Sequence, residues 1–198
     1  MEIKAYLVTE TLHIKNMVCS CCIKVIKDYL EKSGFIIDEI KIGTAVVTFD
    51  PNKNNIADVV HFLEENGMGL ISDREKQVVE KIKQAVIELI HQMNNVDSMV
   101  RKSDYIVEKM GMNYQTLSKI FSKHEPVTLE KFIILHKIER IKELIDSNEF
   151  TLSEIAYNMD YSSVHYLSNQ FKKITGLSVS EYKLAENKDR KPLDNIYL

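Results

Sequence analysis

Residues 155–182, IAYNMDYSSVHYLSNQFKKITGLSVSEY, decide how the chain is read. Their apolar residues recur at helical spacing, so the stretch predicts a helix, a tight turn, a second helix and a short capped helix. A near-copy lies about fifty residues upstream. Ile106-Val107-Glu108-Lys109-Met110 answers Ile155-Ala156-Tyr157-Asn158-Met159. After one extra residue in the turn, Leu117-Ser118-Lys119-Ile120-Phe121 answers Leu167-Ser168-Asn169-Gln170-Phe171. Val127 to Phe132 then answers Leu177 to Tyr182. A duplicated helix-turn-helix is a DNA-reading device, so double-stranded DNA is the expected partner.

Bulk properties leave room for that reading without suggesting it. The 198 residues suffice for one large or two modest domains, and 44% hydrophobic with 28% charged residues excludes wholesale disorder. The net charge is −3. Residues 1–73 carry 7 Lys/Arg against 11 Asp/Glu, and residues 74–198 carry 19 against 18. Phosphate binding must therefore come from a local patch. The apolar runs are too short to span a bilayer, and Met1-Glu2-Ile3-Lys4 lacks the layout of a signal peptide. Three cysteines confined to Cys19–Cys22 cannot staple a fold. A cytoplasmic protein with reactive or ligating thiols, and no membrane partner, is expected.

In the first half, Leu12/Ile14 alternate with His13/Lys15 as a strand over Thr11–Lys15, and Asn16–Cys22 follows as a loop. Ile23–Lys32 predicts a helix with Val25, Ile26, Tyr29 and Leu30 inward, ended by Ser33-Gly34. Phe35–Ile42 and Ala45–Phe49 predict a hairpin across Gly43-Thr44. Ile56–Glu65 predicts a second helix, and Met68–Ile71 a last strand. The order βαββαβ is that of a ferredoxin-like α+β domain, placed at residues 1–72. It sets the cysteines at a helix N-terminus, where a thiol pKa falls. Cys19 and Cys22 are spaced to converge on one soft ion such as Cu(I), with Cys21 as a possible third ligand. Zn²⁺ would want four ligands. A redox pair, or thiols with no role, are the alternatives.

Met17-Val18-Cys19-Ser20-Cys21-Cys22 resembles the M-x-C-x-x-C loop of heavy-metal-associated domains, over about Thr11 to Ser72. The resemblance implies metal ligation by Cys19 and Cys22, with Cu(I), Ag, Hg or Zn as candidate ions. It implies a buried anchor role for Met17 and puts Met68 near the site. Asn16 stands where that family usually has glycine, and Cys21 is an extra thiol.

Residues 73–93 contain no proline or glycine. Val78, Val79, Ile82, Ala85, Val86, Leu89, Ile90 and Met93 form an apolar stripe, predicting one amphipathic helix. Such a stripe serves as core or, alternatively, as a homodimer interface. A short junction couples what it joins. His13, His61 and His91 do not cluster with the cysteines in sequence and read as surface or structural residues.

The second half, residues 73–183, is expected to be all-α with two helix-turn-helix units. Ser103 or Asp104 caps a helix over Tyr105–Met110, Gly111 turns, and Asn113–Lys123 is the first reading helix. Leu129–Asp146 is a connecting helix of about 27 Å, near the roughly 34 Å of one DNA turn. Thr151 or Ser153 caps the next helix, and Ser162–Lys173 is the second reading helix. Gly176 supplies a left-handed turn, and Ser178-x-x-Glu181 is a capping box. Residues 184–198, rich in Lys, Asp and Asn, are expected to form a mobile tail.

The form LSEIAYNMDYSSVHYLSNQFKKITGLSVSEY, with a like unit before it, resembles the AraC/XylS family of bacterial transcription regulators over about Val78 to Lys183. That resemblance implies sequence-specific DNA binding by two helix-turn-helix units in one chain. Asp160 stands where a turn glycine is usual, and Val179 where proline is common. Helical spacing separates a core face (Leu117, Ile120, Phe121; Leu167, Phe171) from a reading face. The reading face carries Tyr114, Gln115, Thr116, Ser118, Lys119 and Ser122, then Ser163, Val164, His165, Tyr166, Asn169 and Lys173. Gln115 and Asn169 amides suit adenine edges, and His165 suits guanine or phosphate. Lys119, Lys123, Lys172 and Lys173 are the expected phosphate contacts. No catalytic arrangement appears, so a non-enzymatic regulator is expected. Its effector is a soft metal ion in one reading. In the other, the first domain is a dimerisation or protein-interaction module.

Overall fold

The structure, a computed structural model, describes residues 6–92 and 102–197, with side chains at 102 and 103 left out. Met93 and the Ser103 side chain, which the sequence reading used, lie outside the described residues. The chain divides into two compact units, residues 1–84 and 85–198.

The first unit holds β1 (Val8–Lys15), α1 (Ser20–Lys32), β2 (Ile36–Lys41), β3 (Thr44–Phe49), α2 (Ile56–Glu65), β4 (Gly69–Leu70) and the start of α3 (Arg74–Ile87). The strands form one antiparallel sheet in the order β2-β3-β1-β4. Strand β1 is central because Leu12 and Ile14 alternate inward, and it pairs with β3 from Val8↔Phe49 to His13↔Thr44. Helices α1 and α2 bury Ile26, Leu30, Val59 and Leu63 against Leu12, Ile14, Val47 and Phe49. Tyr29 and Phe62 stack face to face between the helices, with ring centroids 3.7 Å apart.

Some local expectations shift. The pair Lys41↔Thr44 makes Ile42-Gly43 the hairpin turn, with Gly43 at φ +83, one residue earlier than Gly43-Thr44. Helix α1 starts at Ser20, so Cys21 and Cys22 lie in its first turn rather than in a loop. Val25, expected inward, is exposed, because the buried line of α1 runs through Ile26 and Leu30. The division between the units falls inside α3. Beyond Ile87 the helix widens into a π-helical turn, Glu88–Gln92.

The second unit is helical throughout its described residues: α4 (Lys102–Met110), α5 (Tyr114–His124), α6 (Leu129–Ser147), α7 (Leu152–Asn158), α8 (Val164–Thr175) and α9 (Val179–Leu184). The sequence duplication becomes a duplicated core. Ile106, Leu117, Phe121, Leu129 and Phe132 are buried in the first copy. Ile155, Leu167, Phe171, Val179 and Tyr182 take the matching places in the second. Caps repeat as well, with Asn113 on α5 and Ser163 on α8, then Thr128 on α6 and Ser178 on α9. The two turns also match, since Gly111 (φ 62) and Asp160 (φ 57) both sit in the left-handed region. Thr151, not Ser153, caps α7, in a capping box with Glu154. Ser103 and Asp104 lie within α4 rather than at its cap. Helix α6 has 19 residues, about 28 Å at 1.5 Å each.

Residues 185–197 bond to α6 through Lys188 on Asp146 (2.7 Å) and Arg190 on Glu139 (3.3 Å). Tyr197 donates to Glu125 (2.8 Å), and Ile196 is buried. Among the described residues no helix is long and apolar enough to cross a membrane.

Candidate functional site

Helix α5 exists because Asn113 accepts from Thr116 N–H at its start (2.9 Å) and Leu117 and Phe121 anchor one side. The opposite side exposes Gln115, Lys119, Ser122 and Lys123, while Tyr114, Thr116 and Ser118 are half-buried. Ile120 is half-buried rather than fully in the core. Helix α8 is built the same way, with Ser163 accepting from Tyr166 N–H (3.1 Å) and Leu167 and Phe171 buried. It exposes His165, Tyr166, Asn169, Lys172 and Lys173.

One residue expected on the reading face is already engaged. Val164 occupies the first turn and packs on the core with Leu167 and Phe171, which removes it from the exposed side. The exposed Ser163 hydroxyl accepts the cap bond through its oxygen and keeps its proton to donate. Asn169 Nδ2 and His165 Nε2 lie 3.0 Å apart, one turn from each other, so the two side chains orient one another. Lys172 and Lys173 stand in the last turn, where a cation is favoured by the helix dipole.

Polar residues on the buried side of α6 escaped the sequence reading. His136, Glu139 and Lys142 are buried there. His136 lies edge-on to Phe132, and Glu139 and Lys142 bond to residues 189–191, on a different side of the helix from Ile138, Ile141 and Ile145. Nothing local in the sequence marks them, because what covers Glu139 and Lys142 is the distant tail. His136 Nδ1 lies 3.3 Å from His91 Nε2 on the π-helical turn. Burial drives the His91 pKa down to about 4, opposed by Glu143 and reinforced by Arg140 and Arg190.

The cysteine loop leaves β1 through Asn16, held at φ 64. Asparagine tolerates that left-handed conformation better than most residues. Its side chain donates to Gly67 O (2.9 Å), and its backbone N–H donates to Glu80 Oε1 on α3 (2.9 Å). Met17 is buried, and its sulfur accepts from Gly43 N–H (3.2 Å). Met68 is likewise in the core. Cys19 is the N-cap of α1 and makes no strict side-chain capping bond. The amides of Cys21 and Cys22 nevertheless favour its thiolate and lower its pKa, against burial, with the two neighbouring thiols adding to the effect.

Cys19 and Cys22 are partly exposed and Cys21 is exposed. No group of three or more His, Cys, Asp or Glu converges among the described residues. Two thiolates satisfy a soft, low-coordinate ion such as Cu(I), whereas a closed zinc site would need further ligands.

Residues 106–185 match the family model described as a helix-turn-helix domain. They are an AraC-type helix-turn-helix domain. The AraC-type domain takes in both copies, from within α4 to just past α9. The chain is 27% identical over 99 residues to the xylose operon regulatory protein of Escherichia coli K12, covering 50% of this chain and 25% of that protein. The same figures hold for the protein from strain O157:H7. The chain thus spans about a quarter of the length of those regulators. It is also 36% identical over 61 residues to an uncharacterized protein of Haemophilus influenzae, covering 30% of this chain and 90% of that protein. Over those residues the two chains belong to one family. No solved structure matches the chain.

Proposed function

We propose that the chain is a non-enzymatic transcription regulator that reads double-stranded operator DNA with α5 and α8. The observation that carries this is the matched construction of the two helices. Each is capped by a short polar side chain, anchored by a Leu and a Phe, and polar on its exposed side. Gln115, Thr116, Ser118, Lys119, Ser122 and Lys123 then face one groove, and His165, Tyr166, Asn169, Lys172 and Lys173 the next. The AraC-type domain supports the reading. A footprint on an operator selected from random duplexes tests it, followed by a salt titration. Lys172→Ala and Lys173→Ala should each lower the salt slope by about 0.9 for every phosphate that the variant leaves unneutralised. Slopes that stay at the wild-type value refute the assignment.

The first unit supplies regulation in this proposal. Its strand order supports a split β-α-β, ferredoxin-like domain of the heavy-metal-associated kind. Cys19 and Cys22 would hold a soft ion, with Cys21 available as a third thiolate. Asn16 and Glu80 link the start of that loop to α3. Operator affinity measured with and without Cu(I), Hg²⁺ or Zn²⁺, and again in Cys19→Ser, tests the effector role. Equal affinities throughout refute it. The other reading makes the unit a homodimerisation or protein-interaction module, and edge strand β2, with Ile36 exposed, favours it. Metal-independent dimers in sedimentation would decide for that second reading.

A further inference from the structure

We infer that residues 185–197 form a strap that fixes the spacing of the two reading helices, with Glu139 as its anchoring residue. The strap depends on the DNA-reading proposal. A connecting helix has no need to bury charge, yet Glu139 is 3% and Lys142 is 5% exposed. Burying an ion pair costs more than it returns unless its remaining hydrogen-bonding capacity is met. The strap meets it. Glu139 accepts from Lys142 Nζ (2.6 Å), Arg190 Nε (3.3 Å) and the Lys191 N–H (3.0 Å). Lys142 also donates to Asp189 O (2.6 Å).

The strap then reaches both copies of the duplicated unit. Beside the second copy, Lys188 binds Asp146 (2.7 Å) and stands over the Tyr182 ring of α9, while the Tyr182 hydroxyl donates to Asp146 (3.2 Å). At the first copy, Ile196 is buried, and Tyr197 donates to Glu125, the C-cap of reading helix α5. The Tyr197 ring also lies 5.8 Å from that of Phe132. A cavity of about 370 Å³ between strap, α6 and the end of α8 draws its lining from both copies, with Lys131 on one side and Ile174 and Leu177 on the other. A segment tied at both ends across a shared helix limits how the copies swing about it. Two DNA-reading modules gain from linkage in proportion to how well the link holds their separation.

The test uses the full-length chain, a variant ending at Leu184, and the tail-retaining double variant R190Q/Y197F. Each is titrated against the selected operator and against duplexes with either half scrambled. Both variants should lose about tenfold or more on the intact operator and bind the half-scrambled duplexes as the wild type does, since only the linkage gain is removed. Equal losses on all duplexes, or no loss on the intact operator, would overturn the strap. A wild-type chain that selects no operator fails the DNA reading itself, and the strap with it.

Discussion

Acid should unfasten the second unit at one histidine. His91 lies on the π-helical turn, its ring 5.4 Å from that of His136 and its Nε2 within 3.3 Å of His136 Nδ1. Burial lowers its pKa from 6.5 to about 4, with Glu143 opposing and Arg140 and Arg190 assisting. The folded-state pKa is depressed, so folding is disfavoured wherever the unfolded chain holds a proton that the folded chain refuses. His91 therefore costs nothing above pH 6.5, and stability falls as pH drops from there towards about 4. Each pKa unit is worth about 1.4 kcal/mol, so the whole window amounts to roughly 3 kcal/mol, and roughly 2 kcal/mol is gone by about pH 5. Urea unfolding followed by circular dichroism at about pH 7.5 and about pH 5 measures it. His91→Gln should lose stability at neutral pH, because a packed ring is removed, but show the shallower pH dependence. If the two proteins lose stability in parallel between those pH values, the histidine is not the group responsible.

Other perturbations reach the remaining parts of the chain. Phe171→Ala, at a fully buried site against Leu167 and Tyr182, should cost about 3–5 kcal/mol in urea unfolding and abolish the footprint. Asp160→Gly relieves a left-handed φ of 57 and should raise stability by up to about 1 kcal/mol, whereas Asp160→Val should lower it. Glu80→Gln weakens the carboxylate's hold on Asn16 N–H, so any metal-induced change in operator affinity should shrink while Cu(I) affinity stays within a few-fold of wild type. Competition against a chromogenic Cu(I) chelator reads the second quantity.

The duplicated unit was legible because its signals are local. The Leu and Phe one turn apart, the capping box at Ser178, and the glycine at residue 176 each act within a few residues of where they sit. Helix starts were the weaker part. Val164 lies three and seven residues before Leu167 and Phe171, a spacing that puts it on the core face, and beginning α1 at Ser20 draws two cysteines into a helix. The strap could not be read locally at all. Its bonds join residues separated by 42 to 72 positions, and a run rich in Lys, Asp and Asn looks solvated until Glu139 and Asp146 are seen beside it. The cysteine site was legible as chemistry, while its anchoring through Asn16 to Gly67 and Glu80 appears only once strand and helix come together.

Helix α6 opens as the third helix of the first copy and runs on to carry the second, so its length acts as a phase setting. Each residue added within it would advance α8 by about 1.5 Å and rotate it by about 100°. One insertion would thus point His165 and Asn169 away from the groove while leaving both copies folded. A full turn, three or four residues, nearly restores the azimuth and shifts the second copy by about 5.4 Å, between one and two base-pair steps of about 3.4 Å. Insertions of one or two residues should therefore give silent proteins and insertions of three or four competent ones, and the competent ones should prefer operators with wider spacing.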